Sequence, residues 1–139
     1  MEKTTDSGMT VEKLEAYKGL VSNMQALQEE ISALHNTYRS PLTSDVGSHV
    51  MSTGSPVEGA VSKILELEKM YNNEYKKAAN LLYEIETFIS QIEDPEIRSI
   101  IRFHYMLGYS WERTNTAVCG YPSHWTARKK LMRYLGKEA

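Results

Sequence analysis

The sequence predicts an all-α protein, in which a long antiparallel helical hairpin or coiled coil is followed by a C-terminal module of three short helices. Apolar residues recur with steps of three and four over two long segments. A stretch rich in serine, glycine and proline separates those segments, and short helix signals with polar caps follow them. We assign residues 1–94 to the hairpin and residues 95–139 to the module.

The first helix is predicted over residues 11–38. Thr10 precedes it and can act as its N-cap, because a threonine oxygen accepts a hydrogen bond from a free amide of the first turn. The steps between its apolar residues place them in one stripe that suits knobs-into-holes packing. The stripe comprises Leu20, Met24, Leu27, Ile31, Leu34 and Tyr38.

Residues 40–59 contain two prolines, three glycines and five serines without a sustained period. Such a segment buries too little apolar area to offset the entropy of ordering it. We therefore expect a flexible loop over residues 40–58, which leaves the flanking helices free to fold back on each other or to pair with another chain.

A second, longer helix is predicted over residues 57–93. Too long to be buried alone, it must pack along the first helix, along a second copy of the chain, or both. We expect a homodimer through residues 11–38 and 57–93. The predicted stripe comprises Val57, Val61, Ile64, Glu68 (with Leu67 beside it as a substitute), Tyr71, Tyr75, Ala78, Leu82, Ile85, Ile89 and Ile92.

The C-terminal segment has the outline of a helix-turn-helix. Asp94 and Pro95 begin a helix over residues 95–107 that buries Ile97, Ile100, Ile101 and Leu107 and ends at Gly108. Ser110 caps the next helix, residues 120–122 form a turn, and Ser123 caps a last helix that ends near Leu135. In a helix-turn-helix the second of two such helices enters the DNA major groove and the first supports it.

The charges of the two segments are opposite. Residues 1–94 hold 8 basic and 15 acidic residues, whereas residues 95–139 hold 8 basic and 3 acidic residues, so that the net charge of −2 hides an acidic and a basic part. A basic segment favours a polyanionic partner.

A helical wheel of the last helix separates an apolar face from a cationic one. Ala127, Leu131, Tyr134 and Leu135 form the predicted core face. On the outward face we expect Trp125, Thr126 and Lys129 to read base edges, and the remaining cations and Ser123 to contact phosphates. The candidate DNA-binding residues are Arg113, Tyr121, Ser123, Trp125, Thr126, Lys129, Lys130, Arg133 and Lys137.

Other residues are expected to be structural. Trp111 is predicted to anchor the core of the module, while Trp125 could fold against a long helix or a second copy, or stack on a sugar or base. We expect Cys119 to be a buried small hydrophobic residue, since a single cysteine excludes an internal disulfide and fits a reducing compartment.

Several classes of protein are not expected. The four histidines have no metal-ligand spacing, and there is no phosphate-binding glycine loop or nucleophile elbow, so we predict neither an enzyme nor a bound cofactor or metal. With no apolar run long enough for a membrane span and no signal sequence, we expect a cytoplasmic protein without a membrane partner.

Three motifs carry a family resemblance. One is the ILELE start of the second long helix at residues 64–68, and another is I-x-D-P-x-x-R-x-I-I-x-x-x-Y-x-x-G-x-S-W over residues 92–111. The third is Gly-Tyr-Pro-Ser at residues 120–123 with Thr126, Arg128 and Arg-Tyr-Leu at residues 133–135. Over residues 10–136 the chain resembles the sigma-factor-like transcriptional regulators of Gram-positive phages and prophages, of the RinA and ArpU type.

The resemblance implies a fold like region four of bacterial sigma factors, preceded by a helical hairpin, and a role in phage gene expression. The chain departs from the family in the supporting helix, which reads Trp-Glu-Arg-Thr-Asn at residues 111–115 where Trp-Glu-x-Ile-Ala is usual.

The leading hypothesis is a regulator of phage transcription that binds double-stranded DNA. Sigma region four also binds RNA polymerase, so a second hypothesis is a protein–protein adaptor that acts on the polymerase or another host machine without reading DNA. A third is a small terminase-like DNA-packaging subunit, which also joins a helix-turn-helix to coiled-coil assembly.

Overall fold

The structure, a computed structural model, describes residues 8–43 and 55–136. All regular elements in these two ranges are helical, so the predicted fold class is confirmed. We number the α-helices α1 (Val11–Thr43), α2 (Ser55–Ser90), α3 (Pro95–Ile101), α4 (Trp111–Cys119) and α5 (Thr126–Tyr134), and a π-helical turn (Arg102–Met106) follows α3 directly. None of the described helices is long and apolar enough to cross a membrane.

Both long helices extend into the segment predicted as a loop. α1 continues to Thr43, more than a turn beyond residue 38, where the apolar stripe ends. α2 begins at Ser55, and its second residue is a proline. The amides of the first turn have no partner within the helix, so a residue without an amide hydrogen is tolerated there. The rest of the predicted loop, residues 44–54, lies outside the described residues.

Most of the predicted helix caps are confirmed. The amide of Lys13 donates to Thr10 Oγ1 at 3.1 Å, and the amide of Glu96 donates to Asp94 Oδ1 at 2.9 Å. The guanidinium of Arg98 donates to the carbonyl of Ile92 at 2.7 Å, so α3 also satisfies an oxygen near the end of α2.

The chain divides into two compact units, one of Met1–Gly19 with Ala78–Ala139 and one of Leu20–Lys77. The predicted boundary at residue 94 therefore lies inside the first unit. An ion pair of 3.1 Å joins Lys13 Nζ at the start of α1 to Glu84 Oε1 near the end of α2, which makes the two helices antiparallel.

One continuous core holds the first unit together. The start of α1, the end of α2, α3, the π-helical turn and α5 all contribute to it. Bidentate contacts of 2.9 and 3.0 Å between Arg102 and Glu86 join the π-helical turn to α2 at the surface. The core side chains are Met9, Leu14, Ile85, Phe88, Ile89, Ile92, Ile97, Ile100, Ile101, Tyr105, Ala127 and Leu131.

The predicted burial of Leu107 is wrong, since 61% of this residue is exposed. The reason is the π-helical turn, in which the amide of Leu107 donates to the carbonyl of Arg102, five residues earlier, at 2.9 Å. A turn with one extra residue rotates the following side chain off the buried face. Gly108 then adopts a positive φ of 80° and ends the helix as predicted.

The predicted stripe of α2 is buried only in part. In the first unit Ala78, Ile85, Ile89 and Ile92 are buried as predicted, and in the second unit so are Ile64 and Leu67, the predicted substitute for Glu68. Ala60 is also buried in the second unit, as is Leu27 of α1.

Other members of the predicted stripe are exposed. They are Val57, Val61, Glu68 and Tyr75 in the second unit and Leu82 in the first. The exposed apolar members of the predicted stripe form a line along α2 together with Leu65. We call its members within the second unit, Val57, Val61, Leu65 and Tyr75, the outer stripe.

Candidate nucleic-acid interface

α4 is held in place through an aromatic cluster at its first residue. The indole of Trp111 stacks on the buried ring of His104, with centroids 3.7 Å apart and planes 16° apart, and meets Tyr105 edge-on at 5.9 Å. Ser110 caps the helix by accepting the amide of Arg113 at 3.0 Å. The predicted anchoring role of Trp111 is therefore confirmed.

His104 donates a hydrogen bond from this cluster to the backbone. Its Nδ1 lies 2.6 Å from the carbonyl oxygen of Tyr109, which requires a proton on Nδ1 because a carbonyl can only accept. Burial lowers the pKa of His104, and the bond to Tyr109 opposes that shift in part. Protonation would place a charge inside the core.

The turn between α4 and α5 forms as the sequence predicts. Gly120 adopts a left-handed φ of 92°, which ends α4. Ser123 Oγ accepts the amides of Trp125 and Thr126 at 3.1 and 3.2 Å. The N-cap position of α5 is Trp125 rather than the predicted Ser123, whose hydroxyl instead holds the amides of Trp125 and Thr126 within the chain.

Asn115 ties the two helices together, which the sequence did not predict. Its side chain is fully buried; Nδ2 donates to the carbonyl of Tyr121 at 2.8 Å, and Oδ1 accepts the amide of Ala127 at 2.7 Å. One side chain of α4 therefore positions both the turn and the first residues of α5. The sequence pointed to this role in one way, by placing asparagine where the family that the chain resembles usually has alanine.

The orientation of α5 agrees with the helical wheel at most positions. Ala127 and Leu131 are buried, whereas Trp125, Lys129 and Arg133 are exposed. Tyr134, predicted in the core face, is 37% exposed, and its ring meets Phe88 with centroids 6.4 Å apart. Tyr134 lies at the end of α5, so other side chains shield only part of its ring from solvent.

The described cations of α5 fall into two groups. Among the described residues, no acidic side chain forms an ion pair with Lys129 or Arg133. Lys130 is different, because its ammonium contacts Glu96 and lies 3.4 Å from Asp94 Oδ2, at the start of α3. The hydrogen bond to Glu96 raises the pKa of Lys130, and its charge is neutralised within the module rather than directed to solvent.

Arg113 and Arg128 both lie against aromatic rings. The guanidinium carbon of Arg113 is 3.7 Å from the ring centre of Tyr109, and that of Arg128 is 5.7 Å from the ring centre of Trp125. Arg128 is an exposed cation next to the predicted base-reading residue, but the sequence-based site omitted it. The wheel places it at the edge of the outward face, which was the available signal.

The remaining predicted residues differ in how far the structure describes them. Tyr121, in the turn, and Thr126, the first residue of α5, are both exposed, and Thr126 Oγ1 lies 3.1 Å from Ser123 Oγ. Lys137 lies outside the described residues.

Cys119 is half-buried rather than buried, since it ends α4 next to the turn. Its Sγ lies 3.9 Å from Glu96 Oε2, and burial with the adjacent carboxylate raises the pKa of the thiol. A thiol with a raised pKa is a poor nucleophile at neutral pH. Across residues 8–43 and 55–136, no three His, Cys, Asp or Glu side chains come together in a group that could hold a metal ion.

Comparisons with models of protein families, with curated proteins and with solved structures each found no match to this chain. The resemblance to phage sigma-like regulators and the function that it implies therefore stay predictions.

Proposed function

We propose that this protein is a transcriptional regulator of phage or prophage genes that binds double-stranded DNA through α4 and α5. The observation that carries the proposal is the outward face of α5. Lys129 and Arg133 lie there without a described acidic partner, next to the exposed Trp125, while Ala127 and Leu131 fix the opposite face in the core.

The exposed cations supply the sequence-independent part of binding. DNA phosphates attract Lys and Arg, and each neutralised phosphate releases counterions. Lys129 and Arg133 are available for this, with Arg128 at the edge of the same face. Lys130 contributes less in this proposal, because Asp94 and Glu96 already neutralise it.

The start of α5 supplies the sequence-dependent part. Residues near the N-terminus of a recognition helix reach the base edges of the major groove. Trp125 and Thr126 occupy that position, and the hydrogen bonds of Asn115 and Ser123 hold the backbone there in place.

A second copy of the chain is the proposed partner of the outer stripe. Glu58 and Lys76 flank the stripe on one side, about five helical turns apart. An antiparallel copy of α2 would place Glu58 of each chain beside Lys76 of the other and would cover Val61 and Leu65. Two DNA-binding modules in such a dimer would meet two half-sites.

Titration of a labelled duplex by fluorescence anisotropy at about 50 mM salt tests the DNA-binding proposal, because phosphate contacts are strong there. Promoter fragments from phages serve as specific probes, with a random duplex beside them. We expect Lys129→Glu and Arg133→Glu each to weaken binding at least tenfold. Lys77→Glu is the matched control, since Lys77 is an exposed lysine of the hairpin, and it should leave binding unchanged.

The titration, a pull-down from host lysate and light scattering together separate the competing functions. If the wild-type protein binds none of the duplexes, DNA binding is rejected. A stoichiometric host protein retained after nuclease treatment would then favour the adaptor, with RNA polymerase as the first candidate. A ring of roughly eight or more subunits in light scattering would favour a packaging subunit.

A further inference from the structure

The most exposed large hydrophobic side chain of the proposed interface is an indole at the start of α5. Trp125 is 59% exposed and immediately precedes the first residue of the helix. Its neighbour in space is the guanidinium of Arg128 at 5.7 Å, and its own backbone amide is held by Ser123. Trp125 is thus anchored through its backbone while its ring faces solvent.

The other side chains at this end of α5 restrict how bases could be read. Residues 125–134 contain no Asn, Gln, Asp or Glu. Asn and Gln are the side chains that recognise adenine by paired hydrogen bonds, and Asp and Glu accept from cytosine. Lys129 and the arginines could contact guanine, but they can equally contact phosphates. The hydroxyl of Thr126 can hydrogen-bond to more than one base and so distinguishes them poorly.

An apolar group in the major groove has one base-specific target. Among the four bases only thymine presents a methyl group there, at its C5 position. We propose that Trp125 gives the interface its sequence preference by packing its indole against thymine methyl groups. This inference rests on the proposed DNA binding and names the class of sequence that the interface prefers.

Two duplex polymers that differ only in this methyl group test the inference. They are alternating adenine–thymine DNA and the same polymer with uracil in place of thymine. Neither contains guanine, so Lys129, Arg128 and Arg133 can reach only phosphates or acceptors that both polymers share. One buried methyl group contributes roughly 0.8 kcal/mol, which corresponds to about a fourfold difference in affinity.

We expect the wild-type protein to bind the thymine polymer about fourfold more tightly for each methyl group contacted. Trp125→Ala should bind both polymers equally. Lys129→Ala should weaken binding to both and keep the ratio. Because a methyl contact is uncharged, the ratio should also stay constant between about 50 and 150 mM salt while both affinities fall.

The outcomes distinguish this inference from the function on which it rests. If the wild-type protein binds neither polymer at low salt, both the proposed DNA binding and this inference are rejected. If it binds both polymers equally, DNA binding stands and the methyl contact is wrong. If Trp125→Ala keeps the preference for thymine, the preference comes from the shape of the polymer, and Trp125 does not determine it.

Discussion

The substitution Asn115→Ala tests how α5 is positioned. The amide of Ala127, a buried residue, would lose its acceptor at 2.7 Å, and an unsatisfied buried donor costs about 1–3 kcal/mol. The carbonyl of Tyr121 would lose its donor at 2.8 Å, but it belongs to an exposed residue and can regain water, at a cost of about 0.5–1 kcal/mol. We therefore expect a total loss of about 1.5–4 kcal/mol in the free energy of unfolding.

Urea unfolding followed by tryptophan fluorescence measures this loss, because Trp111 lies against the same core. Thr116→Ala is the matched control. Thr116 is one residue further along α4, and its hydroxyl donates to the carbonyl of Glu112 at 3.1 Å in an exposed position. Water replaces that bond, so we expect a change below about 0.5 kcal/mol. A loss for Asn115→Ala no larger than that of the control would refute the reasoning.

Asn115→Asp separates the two hydrogen bonds. A carboxylate can still accept the amide of Ala127, but its second oxygen would face the carbonyl of Tyr121 without a hydrogen to share. Folding would raise the pKa of this new carboxyl. Stability relative to the wild type should therefore be highest below about pH 4 and should fall as the pH rises through the folded pKa. A relative stability independent of pH between about 3.5 and 7 would contradict the assigned contacts.

Three further predictions concern other parts of the fold. The hydroxyl of Thr114 is buried without a hydrogen-bond partner in the described structure. Thr114→Val should therefore raise the unfolding free energy by about 1 kcal/mol in urea titrations. An unfolding free energy below that of the wild type would contradict this prediction. Burial lowers the pKa of His104 from about 6.5. The stability that the uncharged imidazole contributes should therefore be complete above that pH and should decline as the pH falls through the folded pKa. In urea unfolding at about pH 7.5 and 5, His104→Gln should lose less stability on acidification than the wild type. If the outer stripe pairs two chains, Val61→Glu should halve the mass measured by light scattering, whereas Ser62→Glu beside it should not.

The local signals in the sequence predicted most helix boundaries. Thr10, Asp94, Ser110 and Ser123 all accept backbone amides as expected. A cap depends on one side chain and the two or three residues that follow it, so the sequence contains all the information needed. The orientation of α5 followed from the wheel for the same reason.

The features that were missed depend on contacts between distant residues. The apolar stripe of α2 is wider than the face that its neighbours cover, and only their position decides that Ala60 is buried while Val61 is exposed. The π-helical turn that exposes Leu107 has no local sequence signal. Asn115 reads as an ordinary polar residue of α4 until α5 and the turn are placed around it. The ion pair of Lys130 likewise joins residues more than thirty positions apart.

The core of the first unit determines where the chain could be cut or exchanged. Leu14 of α1 and Ile85 and Phe88 of α2 belong to the same core as Ile100 and Leu131. A fragment that begins at Pro95 would leave part of that core facing water. The C-terminal segment therefore cannot be transferred to another protein without the parts of α1 and α2 that complete its core.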